Sequence, residues 1–123
     1  MNIALWIVAS LLAIMFFMAG LMKATQPKGK IAQNLPWAND FSAGTVKMIG
    51  VLEVLGALGL ILPPIFNIAT ILTPLAATGL AITMLLAIFV HARRKENQAI
   101  VTNVVLLALS LFVAIMRFGP YAF

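Results

Sequence analysis

The chain has 123 residues, of which 63% are hydrophobic and 9% charged, with a formal net charge of +5 and no cysteine. Soluble domains carry about 25% charged residues, so this chain cannot cover a water-facing globular surface. Lack of cysteine excludes a disulfide, a thiolate metal site and a dithiol relay, and basic residues gathered beside apolar runs point to topology and anionic headgroups, not to nucleic acid.

The first apolar run, residues 3–22, is uncharged and makes about 30 Å of helix, enough for one hydrocarbon core. It has no basic leader and no small-x-small cleavage site follows it. It therefore reads as a retained transmembrane helix and not as a signal peptide. The next stretch, 24–41, is broken by Pro27, Gly29 and Pro36 and reads as an anchored loop. Its Trp37 and Phe41, four apart, suit the headgroup level.

A second span is expected over 42–62, with Asn39, Asp40 or Ser42 as N-cap and Pro63-Pro64 as the stop. A third is expected over 73–91, with Thr73 as N-cap and Pro74 at the first helical position. Residues 65–72 either extend that helix across a kink at Pro74 or form a separate turn; the kinked extension is the preferred expectation. The fourth span, 98–116, ends at Arg117-Phe118-Gly119-Pro120-Tyr121, where a cation and aromatic rings suit an interface. The expected fold is an all-α integral membrane four-helix bundle, one domain over 1–123.

Four spans place both termini on one side. Lys23, Lys28, Lys30, Lys47, Arg93, Arg94 and Lys95 fall on the other side, leaving only Arg117 with the termini. The positive-inside rule puts the basic segments in the cytoplasm and both termini outside.

Helical spacing sorts the polar residues onto faces. Glu53 shares a face with Gly50, Gly56 and Ala57, small residues that admit a neighbouring helix. Lys23 shares a stripe with Gly20, Ala19, Phe16, Leu12 and Ala9. His91 lies below Ala87, Met84 and Thr83. Asn103, Ser110, Ala114 and Arg117 form one narrow stripe on the last span. Glu53 is six residues past Lys47, about 9 Å into the bilayer. Lys23, Glu53, His91 and Asn103 thus fall in the cytoplasmic half and are expected to cluster, with Glu53 paired to Lys23, whose stem can reach a turn into the bundle. Such a pair serves either helix register or a ligand or proton site. Arg117 is expected to anchor the outer interface.

One histidine and three widely spread acids do not make a metal site. No Gly-rich phosphate loop and no serine–histidine–acid set is present. A buried carboxylate beside cations would trade protons or hold the polar head of a lipid-soluble molecule such as a quinone.

Met18-Ala19-Gly20-Leu21-Met22-Lys23, the run from Lys47 to Leu60 around Glu53, Leu72-Thr73-Pro74-Leu75-Ala76-Ala77-Thr78-Gly79-Leu80, Val90-His91-Ala92-Arg93-Arg94, Asn103 and Arg117-Phe118 together resemble the DoxX family, in its short DoxX-like branch. The resemblance covers nearly the whole chain. It implies a four-helix membrane protein whose pattern positions are Lys23, Glu53, His91, Asn103 and Arg117. Family roles range from a subunit associated with a thiosulfate:quinone oxidoreductase to membrane chaperones, so fold transfers more directly than activity. The leading expectation is an accessory factor of the bacterial cytoplasmic membrane in quinone-linked redox or detoxification, with any quinone bound non-covalently near Glu53. The alternatives are a non-enzymatic assembly factor whose Glu53 meets a partner's helix, and a small proton-coupled exporter with a polar route from Asn103 through Ser110 to Arg117. Expected partners are membrane lipid and a membrane protein or a second copy of the chain.

Overall fold

The computed structural model describes residues 2–27 and 41–122. Four helices follow in order: α1 Asn2–Thr25, α2 Ala43–Phe66, α3 Leu72–Arg93 and α4 Asn97–Phe118. Each is long and apolar enough to cross a membrane. The chain is therefore an all-α, multi-pass membrane bundle. The Trp37 position, the loop lysines Lys28 and Lys30 and the caps Asn39 and Asp40 lie outside the described residues.

Every helix buries one stripe. On α1 it is Leu5, Ala9, Leu12, Phe16, Gly20 and Lys23, at steps of three and four. Leu60, Ala77, Leu80, Met84 and Val113 complete the apolar centre from the other three. The opposite faces stay apolar, with Ile3, Met18, Leu55, Ile82, Leu86 and Ile115 all exposed. Apolar residues on both faces of a helix suit lipid outside and packing inside. In lipid, tails solvate these faces as well as leucine does, so helix association rests on close packing and polar contacts.

The consecutive pairs α1–α2 and α3–α4 pack most extensively, α2–α3 less, and α1–α4 less again. The α1–α2 crossing is backbone on backbone. A Cβ on Gly20 would sit 2.6 Å from the carbonyl oxygen of Gly50, and one on Gly50 would sit 2.6 Å from that of Gly20. No side chain fits there, so glycine sets the interaxial distance. Further along α2, Gly59 leaves room for a side chain instead: the Ala76 methyl of α3 lies 2.8 Å from where a Cβ on Gly59 would sit.

Local signals explain some helix ends. Ser42 caps α2, its Oγ accepting from the Thr45 N–H at 3.1 Å. The α3–α4 turn is a Schellman closure: the Glu96 N–H donates to His91 O and the Lys95 N–H to Ala92 O, with Lys95 left-handed at φ 58°.

The α2–α3 connection departs from expectation in two ways. Pro63-Pro64 does not stop α2, which runs on to Phe66 and closes on left-handed Asn67. Pro63 has no N–H, so the carbonyl of Gly59, four residues back, loses its helical donor. Thr73 of α3 supplies the replacement: its Oγ1 donates to Gly59 O at 3.0 Å. Within a bilayer such a substitute donor is what lets a proline persist in a helix. The same bond explains the second departure. Thr73 does not cap α3, which begins at Leu72 behind Ile71 with no side-chain cap. Nor do residues 65–72 extend α3 across a kink. The chain turns between the helices, with Asn67 and Ala69 both at positive φ. Pro74 sits within the first turn of α3, where an N–H has no intrahelical acceptor to lose.

Candidate functional site

Glu53 and Lys23 meet as their helical faces anticipate. Each lies three residues beyond the glycine that lets its helix approach the other, Gly20 on α1 and Gly50 on α2. The two helices run antiparallel, so Lys23 packs beside Gly50, its Cβ 2.8 Å from where a Cβ on Gly50 would sit, and the lysine stem spans the crossing to reach Glu53. Lys23 Nζ donates to Glu53 Oε1 at 2.6 Å. Glu53 is only 2% exposed. A buried carboxylate at membrane depth needs a counter-charge, and here the same chain provides it. Glu53 therefore faces α1, not outward towards another protein's helix.

His91 is drawn elsewhere. Its Nδ1 lies 2.9 Å from Glu96 Oε1, and Arg94 Nε lies 3.2 Å from the same oxygen. The Schellman turn folds Glu96 back over the last turn of α3, which makes this triple contact local. Glu96 stands five residues beyond His91, across the helix end, and that spacing is the signal in the sequence for this pairing. Asn103 is buried on α4, and its Nδ2 has no hydrogen-bond partner among the described residues.

Arg117 is buried rather than splayed into the interface. Its Nη1 donates to Asn2 Oδ1 at 2.7 Å and to Tyr121 O at 2.9 Å. It ties the start of α1, the end of α4 and the C-terminal turn together. A guanidinium at the C-terminal end of a helix also answers the negative end of the helix dipole. Nothing in the sequence joins residues 2 and 117, so Asn2 was invisible as its partner. Thr73 was visible, but as a cap.

Grooves open on the apolar surface. One, of about 280 Å³, lies between α1 and α2 along Ala13, Phe17, Met18, Ala57, Leu58 and Ile61. Another, about 460 Å³, runs along the outer face of α1 at Ile3, Trp6, Ile7 and Leu11. Glu53 lines neither, although Ala57 lies one turn from it. Among the described residues no three histidine or acidic side chains come together as a metal site would require.

The arrangement can thus do three things chemically: hold an ion pair in a low-dielectric bundle, pin two helix ends through Arg117, and offer lipid-facing apolar grooves. No curated protein and no solved structure is significantly similar to the chain. The profile of the DoxX-like family matches residues 7–113, a stretch that holds Lys23, Glu53, His91 and Asn103 and stops short of Arg117. With most of its length matched, and with four membrane-spanning helices packed about the Lys23–Glu53 pair, the chain belongs to the DoxX-like family.

Proposed function

We propose that this protein is a small accessory protein of a cell membrane, acting through its packed helices and apolar outer faces, with Lys23–Glu53 as an internal lock between α1 and α2. The observation behind this reading is the 2.6 Å contact of a sealed carboxylate with a lysine of its own chain. That contact leaves the acid engaged inside the protein. Its partners would then be lipid and a membrane protein or second copy that meets the outer faces. We place it in the bacterial cytoplasmic membrane, with the basic segments 23–47 and 93–95 cytoplasmic and both termini outside. Alkaline phosphatase fused to the C-terminus would be active in that orientation and silent in the reverse one.

The lock is tested by comparing Glu53→Gln with the double variant Lys23→Met, Glu53→Leu. Glu53→Gln strands a buried ammonium and should lower stability by about 3–5 kcal/mol. The double variant removes both charges and should return to within about 1 kcal/mol of the parent. It should also restore growth of a deletion strain challenged with a soluble quinone. A double variant that is stable yet fails to restore growth overturns the lock and assigns Glu53 a chemical role.

One observation favours a second reading, quinone-linked redox or detoxification. The apolar α1–α2 groove ends at Ala57, one turn from Glu53, and its volume suits part of an isoprenoid tail. In that reading Glu53 would swing from Lys23 to a quinone head, and the stable double variant would be the one that fails.

A further inference from the structure

Three residues on the inner face of α4, Asn103, Ser110 and Arg117, stand seven apart, about 10 Å per step along the axis. All three are buried, Ser110 completely. Arg117 has its acceptors in Asn2 and Tyr121. The other two differ: Ser110 Oγ and Asn103 Nδ2 are shut away from the surface with no hydrogen-bond partner among the described residues.

Hydroxyls in membrane helices usually donate to the carbonyl one turn back. Thr78, Thr83 and Thr102 do so here. Ser110 does not, although it is the most buried of the four. An unbonded buried hydroxyl or amide is costly, more so in a bilayer. The bond between Arg117 and Asn2 sets the end of this stripe against α1, and α1–α4 is the least packed of the neighbouring seams. A small ligand that both donates and accepts suits such a seam. The Leu106 and Ala99 carbonyls, one turn back from Ser110 and Asn103, each have a second lone pair to share with it. Water has this chemistry, and buried waters make two to four bonds to polar groups otherwise left over.

We propose that the inner face of α4 is a hydrated polar file, with one water site at Ser110 Oγ and another at Asn103 Nδ2, leading toward Arg117. The inference is independent of the accessory role. The full chain in lipid nanodiscs, studied by water-edited solid-state NMR, tests it. Magnetisation from water should reach the Asn103 side-chain amide at least threefold faster than the methyls of Ala9 and Met84, which are 5% exposed against 8% for Asn103. Ser110→Ala keeps the packing and removes the hydroxyl. It should slow transfer to the amides of Val113 and Ala114 at least twofold while leaving Asn103 unchanged. Equal, slow transfer to Asn103 and to the Ala9 and Met84 methyls in the parent chain means that the file is dry and overturns the proposal, whether or not the variant folds. Transfer near Ser110 that ignores the substitution overturns the Ser110 site.

Discussion

Thr73→Val is the perturbation most directly tied to the geometry. Valine keeps the branched shape and removes one hydroxyl. Thr73 is 1% exposed, and its only described hydroxyl bond runs to the Gly59 carbonyl at 3.0 Å. Without it, the carbonyl that Pro63 deprives of a donor is left buried and unmatched. Leaving a buried acceptor unsatisfied costs about 1–3 kcal/mol in general. Interhelical bonds measured within bilayers run lower, to a maximum near 1.7 kcal/mol, because the unfolded chain in the membrane also finds partners. The expected loss is therefore about 1–1.7 kcal/mol. The cause is separable from simple packing. In Pro63→Ala, residue 63 regains an N–H for Gly59 O, so Thr73→Val in that background should cost under about 0.5 kcal/mol, a coupling of about 1 kcal/mol by double-mutant cycle. Thr73→Ser should retain most of the stability. The assay is reversible unfolding in mixed micelles, followed by helical circular dichroism. An equal cost in both backgrounds, or none in the parent, refutes the idea that Thr73 serves Pro63.

Other consequences are direct. Gly20→Ala and Gly50→Ala each drive a methyl to 2.6 Å from a carbonyl of the facing helix, where backbone must move; overpacking of this kind costs about 1–3 kcal/mol, read in the same unfolding assay. Gly79→Ala is the control, since nothing lies within 4 Å of the added methyl, and helix propensity should raise stability by about 0.5–1 kcal/mol. Asn2→Ala removes an acceptor from Arg117; hydrogen exchange should speed in the first turns of α1 and the last of α4 and stay unchanged at the Gly20–Gly50 crossing. Ser42→Ala removes the α2 cap and should cost about 1 kcal/mol, with faster exchange at Thr45.

Much of this molecule was legible in one dimension. A run of apolar residues long enough to cross lipid is a property of the sequence itself, so the four helices and their membrane setting followed from composition and spacing. Periodicity also fixed that Glu53 and Lys23 point inward, because each sits one turn from a glycine that admits a neighbour, and Ser42 capped α2 through contacts three residues away. Periodicity does not fix how far one helix slides along another, or which side chain meets which across a seam. Those decided the rest. Pro63 ends a helix unless a donor arrives from elsewhere, and the donor, Thr73, belongs to another helix. Arg117 turns inward because Asn2, at the far end of the chain, folds onto it. His91 meets Glu96 because a left-handed Lys95 reverses the chain. In each case a polar group shut away from water took the partner that tertiary packing brought within reach, a choice made in space and not along the chain.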